Sequence, residues 1–462
     1  MRAETTGNER TTAIQRIARY ASNLAFGDLP ELAVVRARQV MLDTLGTALG
    51  GYQTPLGQRA ADYAATVERG DDAMLLADGR CSTVAGAAWA IGVMGKYLGM
   101  DDSHRQAGHV AAELIPVLLS LGYQRRLGGK RAITALAAGY DVFAAIQPAV
   151  NDWQRERGLD HKGQAGTMAS AVTAAMLMDL GVEKIAHALA LAMDMACGTE
   201  QYVYDAGKCD TKDLLAGYAA RNGIYAAKLA EFGFRGPPGA LDGPYGYYHA
   251  FGPGYDPVFL DNIGRVFALS ETGFKPHAGC RHVHACVDAT QQIVQQGAPA
   301  LDSIEKIVVN SYRDAITPSF RVNPEPETME QAGFSLPVAV SVVLSRGHWY
   351  REDIAAYDEP AIRRLRKLVE VGLDEQIQAA YPDKNGCEVR LYTASGDEYS
   401  GRVEHAKGEP EHMLSEQEFE EKFRYLVDDL LSANRVDRIL SSVNQLEELD
   451  DVGELLRLTV PE

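Results

Sequence analysis

What this chain lacks narrows its possible roles first. No apolar run reaches the ~18 residues that a membrane-spanning helix needs, so no membrane partner is expected. The opening residues, MRAETTGNERTT, carry no apolar signal core, which points away from secretion and towards the cytoplasm. The six cysteines, at 81, 197, 209, 280, 286 and 387, are scattered. They form no C-x-x-C pair and no Cys/His spacing of a zinc site, so reduced thiols and no metal centre are expected. An iron–sulfur dehydratase is disfavoured, because clustered thiolate ligands are missing. No glycine loop ends in Gly-Lys-Ser/Thr, and no Rossmann fingerprint follows a strand, so no nucleotide cofactor is expected. A G-x-S-x-G elbow is absent, as is any period of 20–50 residues that would mark a solenoid. Positive charge is scarce as well. There are 45 Lys and Arg against 63 Asp and Glu, a net charge of −18. That balance argues against nucleic acid or anionic lipid as a partner. An anionic substrate would need a local group of Lys and His to overcome the overall field.

What is present is an ordinary globular mixture, 46% hydrophobic and 23% charged, in 462 residues. That length exceeds what one core usually serves and predicts two domains, or one large domain with an insert. From Thr11 the period is helical: Ile14, Ile17, Ala18, Ala21 and Leu24 share a face. Leu29-Pro30 opens a second helix, Val84 to about Leu98 reads as a small-residue helix, and Gly128-Gly129 starts another. Further helices are expected at 165–180, 183–196 and 211–232, and no strong alternating strand before 265. Residues 235–256, rich in Gly and Pro, read as loop. Beyond them the character changes. Ile304–Ser311 alternates and is β-branched, as a strand should be. Leu336–Leu344 reads as a helix, and Ile362–Val371 as another with basic residues on its outer face. Glu388–Thr393 and Tyr399–Glu404 flank Ser395-Gly396-Asp397, a hairpin signal. From Ser415 the acidic tail is helical again, with a stripe of Phe419, Phe423, Leu426 and Leu430 that can pack on the first part of the chain. The expected fold is mainly α: helical residues 1–264, an α+β unit at 265–405, and helical residues 406–462.

Four polar segments stand out against this background. Residues 101–109, DDSHRQAGH, lie between two apolar helices. In a solvated loop, His104 and His109 would be ordinary surface residues, with Asp102 or Ser103 a helix cap. Between buried helices they face a cleft, where neutral His is a general base near pH 7. The turn Leu159-Asp160-His161-Lys162-Gly163 enters an Ala-rich helix, and helix-start amides favour anions. Either His161 is a solvated loop residue or it faces that cavity. Lys212 opens the helix at 211–232 against the macrodipole, which a bound carboxylate would explain as well as simple solvation. Residues 273–284, GFKPHAGCRHVH, hold Lys275, His277, Arg281, His282 and His284, a dense cationic segment in an acidic protein. His282 and His284 are spaced as metal ligands can be, but no Asp, Glu or Cys partner matches, so an anion site is the better reading.

Taken together these segments resemble the MmgE/PrpD family, which includes 2-methylcitrate dehydratases, cis-aconitate decarboxylases and iminodisuccinate epimerases. The resemblance rests on MLDTLGTALGG (41–51), MDDSHRQAGH (100–109), GLDHKGQAGTMASA (158–171), TKDLLAGYAARNGIYAAKLAEFGFRGP (211–237), FKPHAGCRHVHACVD (274–288), AGFSLPVAV (332–340) and LSEQEFEEKF (414–423). It covers nearly the whole chain, in order. It implies a helical domain built from both chain ends, an α+β lid domain and a homodimer. It also implies lyase or epimerase chemistry on a small polycarboxylate without a cofactor. Carried over by position, it makes His109, His161, Lys212, Lys275 and Asp101 the catalytic residues. Asp102, Lys96, His277, Arg281 and His284 would bind substrate. The sequence departs from the family pattern at three points. Lys96 and Gly99 replace the usual His and first Asp, Val110 replaces Pro after His109, and His277 replaces an aromatic. A pocket wall that loses a carboxylate and gains a lysine predicts a substrate other than 2-methylcitrate. Two other readings remain: an epimerase working through the same carbanion, and a non-catalytic polycarboxylate-binding protein.

Overall fold

In the computed structural model, residues 11–105, 108–196, 198–317 and 319–462 are described. The first helix, Ala13–Asn23, starts where Thr12 and Gln15 form a reciprocal capping box. Helices Glu31–Tyr52, Val84–Tyr97, Ala111–Arg125, Gly129–Ile146, Val182–Met193 and Thr211–Glu231 follow close to their expected bounds. The helix expected from residue 165 instead begins at His161. Its polar start, His161–Gln164, is tolerated because first-turn amides have no partner within the helix. Val84–Gly95 is buried on every face, as a helix apolar all round should be. It packs against Glu31–Tyr52, Ala111–Arg125 and Thr211–Glu231, and the last of these also lies on His161–Leu177.

Short strands are present before residue 265, where none was expected. β1 (Ala73–Met74) pairs with β2 (Cys81–Ser82), and β3 (Asp102–His104) pairs antiparallel with β4 (Thr272–Phe274). The α+β unit holds β5 (Ile304–Ser311), β6 (Val369–Leu373), β7 (Cys387–Thr393) and β8 (Glu398–Val403). Their order is β6-β5-β7-β8, with β5 and β6 parallel and the other pairs antiparallel. Helix Arg281–Gln295 covers β7 and β8, and Leu336–Arg346 packs on that helix. One expected helix, 362–371, divides. The helix is Pro360–Arg366, and Val369–Leu373 joins the sheet as β6. The β-branched Val369 and Val371 gain a parallel partner in β5, and that pairing overrides the helical period. Arg366, expected on an outer face, is buried and donates to the Tyr357 carbonyl and Glu325 at 2.8 Å each.

Two large apolar cores form among the described residues, with a small cluster of Tyr312, Ala315 and Ile377 besides. One large core draws on residues 13–274 and 414–458, the other mainly on residues 278–406. Leu98, Met100 and Leu426 belong to the second core although the helices Val84–Tyr97 and Glu416–Val427, beside or around them, pack in the first. The helix Glu416–Val427, the first of three near the C-terminus and capped by Ser415 and Glu418, buries Phe419, Phe423 and Leu426 against Glu31–Tyr52. Leu430 lies past its end and is partly buried. The chain is mainly α with a small α+β portion. Among the described residues, no helix is long and apolar enough to cross a membrane.

Candidate active site

Two segments 170 residues apart in sequence meet through the pairing of β3 with β4. Asp102 is opposite Phe274, so the antiparallel register carries Lys275 to the position opposite Asp101. Residues directly opposite in such a pair project to the same face. Lys275 Nζ donates to Asp101 Oδ1 at 2.6 Å, and Lys96 Nζ donates to Oδ2 at 2.8 Å. Lys96 reaches back because the helix Val84–Tyr97 ends at a turn through Gly99, whose φ of +65° is left-handed. That conformation strains a residue with a side chain, which gives a backbone reason for the departure at Gly99. Asp101 and Lys275 are almost fully buried, at 3% and 4% side-chain exposure. Burial opposes ionisation of Asp101, yet His109, Lys275 and Lys96 beside it hold its carboxyl well below the usual range. Burial also pushes the Lys275 ammonium down from its ordinary value, against the pull of Asp101.

Asp102 faces the other way, as alternation along a strand requires. Its Oδ1 accepts the Val110 and Ala111 amides at 3.2 and 3.0 Å, and Oδ2 accepts the Tyr140 hydroxyl at 2.8 Å. It therefore caps the helix Ala111–Arg125 from outside. Burial and the charge of Asp101 push its carboxyl up to about 7, against the Tyr140 hydrogen bond. His109 sits between the two aspartates. Its Nδ1 lies 2.6 Å from the Asp102 carbonyl and 3.4 Å from Asp101 Oδ2. A carbonyl can only accept, so Nδ1 carries the proton and Nε2 a lone pair. Burial, reinforced by Lys96 and Lys275, pushes this imidazole well below its usual value, so the ring is neutral. Its side chain is 21% exposed and Lys212's is 25%, which leaves the group open to solvent. Lys212 Nζ donates to Asp213 at 3.1 Å. Burial lowers its value, but Asp213 and the more distant Asp101 raise it further, so it stays charged.

The other expected residues are placed elsewhere. His104 is buried in β3, where burial, Arg281 and Arg105 push it down to about 3. Arg281 is bound to Glu409, at 3.0 Å through Nε and 2.6 Å through Nη2. His282 Nδ1 meets the Tyr312 hydroxyl at 2.7 Å. His277 Nε2 is 3.2 Å from Asp288, and its ring packs edge-on against the buried His284, 5.4 Å away. Of the cationic segment, Lys275 is the member that contacts Asp101. His161 opens its helix, but its side chain, like that of Lys162, lies outside the described residues. A cleft of about 790 Å³ lies next to the site, lined among others by His277, Asp288, His405, Lys407 and Glu418. Met100 and Lys422 also line it, on the side towards Asp101. Among the described residues, no three His, Cys, Asp or Glu side chains are arranged to hold a metal ion.

Several supporting groups were not singled out by sequence. Lys422 of the helix Glu416–Val427 bonds Asp43 and donates to the Met100 carbonyl at 2.7 Å, bracing the backbone just before Asp101. Tyr140 holds Asp102. Glu113, in the first turn of Ala111–Arg125, is buried among the site's charges. Asp43 and Glu113 do leave a sequence signal: each is a lone acid inside an apolar run.

The MmgE/PrpD N-terminal domain matches residues 15–260, and the MmgE/PrpD C-terminal domain matches residues 277–448. The chain is 26% identical over 470 residues to the cis-aconitate decarboxylase of Homo sapiens, covering 94% of this chain and 92% of that protein. It is 23% identical over 476 residues to that of Aspergillus terreus, covering 98% and 96%, and 24% identical over 465 residues to that of Mus musculus, covering 94% and 91%. The chain belongs to the MmgE/PrpD family. It is a lyase of that type.

Proposed function

We propose that the protein decarboxylates a small tricarboxylic acid of the cis-aconitate kind, with its own side chains as the catalytic groups. The observation that carries this reading is the Lys96–Asp101–Lys275 bridge. It places two ammonium groups on one carboxylate beside the neutral ring of His109. One aspartate leaves that group with net positive charge, and Lys212 adds to it, inside a protein of net charge −18. Loss of CO2 leaves an electron pair on the substrate that delocalises into a remaining carboxylate. Fixed cations stabilise that charge most where water is excluded. In this reading Lys275, Lys96 and Lys212 hold the carboxylates, His109 is the acid/base group, and His161 is a second polar or proton-transfer group. Several relatives acting on cis-aconitate support the choice of substrate class.

A second reading has a specific observation behind it. The Nε2 lone pair of neutral His109 is that of a base, which suits abstraction of an α-proton and loss of water from a citrate-like acid. Incubation with cis-aconitate, citrate and 2-methylcitrate, following CO2 and α-proton exchange in heavy water, separates the two. Release of CO2 from cis-aconitate supports decarboxylation. Dehydration of 2-methylcitrate at an enzymatic rate overturns the substrate reading. Exchange without net conversion favours an epimerase. We further propose a division into helical residues 1–264 with 406–462 and a lid at 265–405, a homodimer, and a cytoplasmic location. Large exposed aromatics such as Phe232 and Tyr245 support an association surface.

A further inference from the structure

We propose that Glu113 is the proton donor of this site, a role that rests on the lyase reading above. Both lyase outcomes consume a proton: decarboxylation at the carbon skeleton left with the electron pair, dehydration at the departing oxygen. The resting site needs a group that can give one. His109 Nε2 cannot, because the ring's N–H is at Nδ1 on the Asp102 carbonyl. Asp101 is held by two lysines, Asp102 by two amides and a hydroxyl, and Asp43 by Lys422.

Glu113 is placed differently. It lies four residues after His109, is 4% exposed, and its Oε2 has no hydrogen-bond partner among the described residues. A buried polar atom without a partner is unfavourable by itself, and an incoming substrate atom would supply the missing contact. The neighbouring helix leaves room for the carboxyl at one point. A Cβ on Gly166 would sit 1.7 Å from Glu113 Oε2. The facing charges are Lys96 from Val84–Tyr97, Asp101 and Asp102 from the β3 segment, and Asp160 before His161–Leu177; Tyr202 feels the carboxyl as well. Burial and three of these acids raise the Glu113 carboxyl well above its ordinary value, against Lys96. Glu113 and His109 are thus a neutral acid and a neutral base near the start of the helix Ala111–Arg125, the divergence that marks acid/base assignments.

In the decarboxylation the C–CO2 bond breaks and its electron pair stays on the carbon skeleton. That pair takes the proton from the Glu113 carboxyl, CO2 leaves, and the glutamate carboxylate regains a proton from water. In the dehydration His109 Nε2 takes the α-proton and the hydroxyl leaves with the Glu113 proton as water. A proton then passes from imidazolium to carboxylate through solvent to restore both groups.

The test uses Glu113→Gln, which keeps shape and a hydrogen-bond donor but has no acid proton. The infrared difference between wild type and variant at neutral pH should show the loss of one protonated-carboxyl carbonyl band, with that of Asp102 unchanged in both. With cis-aconitate, kcat of the variant should fall about 10²–10⁴-fold while KM changes little. Binding of the saturated analogue tricarballylate should be retained. A variant with wild-type kcat overturns the donor role, as does a variant that keeps every protonated-carboxyl band of wild type. A variant that loses tricarballylate binding and kcat together points to a structural role and also overturns it. A wild type that converts none of the acids overturns the lyase reading, and the donor role with it, whatever the infrared band shows.

Discussion

Asp101 and Asp102 are neighbours in sequence with opposite electrostatic fates. The strand turns one towards two ammonium groups and the other towards helix amides and a phenol. Asp101 is ionised. Asp102, raised to about 7, holds its proton well above the usual carboxylate range. A folded-state value above the unfolded value of ~3.9 means that the folded protein binds the extra proton. The stability this contributes is full below pH ~4 and is lost as pH rises through about 7. Asp102→Asn removes that dependence while keeping an acceptor for Val110 and Ala111 and a contact for Tyr140. The difference in urea midpoint between variant and wild type should therefore shift in the variant's favour between pH 4 and pH 8. Parallel curves would contradict the assignment.

The helix pair that carries Glu113 and Gly166 makes a separate prediction. Ala is favoured over Gly in a helix by about 1 kcal/mol. Here the added methyl would collide with the Glu113 carboxyl, and overpacking typically costs about 1–3 kcal/mol. Gly166→Ala should therefore be less stable than wild type in thermal melts. Adding Glu113→Ala should restore stability without restoring turnover. Strict additivity of the two changes would show that the side chains do not meet. The long helices, the hairpin of β7 with β8 and the Lys275 segment are legible in sequence, because each has a period or a charge contrast of its own. The pairing of β3 with β4 is not. Asp102–His104 is a three-residue polar strand whose partner lies 170 residues away, and no local pattern encodes that register. The split at Arg366 is hidden for a related reason: Val369–Leu373 becomes a strand only because β5 is there to pair with it. His109, Lys96 and Asp101 can be picked out as residues. Their contact with Lys275, and the enclosure of Glu113, depend on long-range packing.

The chain's two ends and its α+β portion converge on residues 98–101. The helix Glu416–Val427 reaches that point through Lys422, which joins Asp43 of the second helix to the Met100 carbonyl. Asp43 is fully buried, and burial raises its carboxyl against the pull of Lys422. Removing one member of a buried pair usually costs about 3–5 kcal/mol, because the other is left uncompensated. Lys422→Met, which keeps the aliphatic stem, should lower stability to urea by about that amount and reduce turnover by loosening the Asp101 segment. Combining it with Asp43→Asn should recover much of the stability. A double variant no more stable than the single one would count against the pair.

In the proposed reaction the cations gathered on Asp101 hold a tricarboxylate while it loses CO2. Release of CO2 from cis-aconitate by wild type and by Lys275→Met tests this most directly. The expected result is one CO2 per substrate consumed by wild type, and a fall in kcat/KM of about 10²-fold or more in a folded variant. Absence of CO2 from the wild-type reaction, or a Lys275→Met protein that works at the wild-type rate, would contradict it.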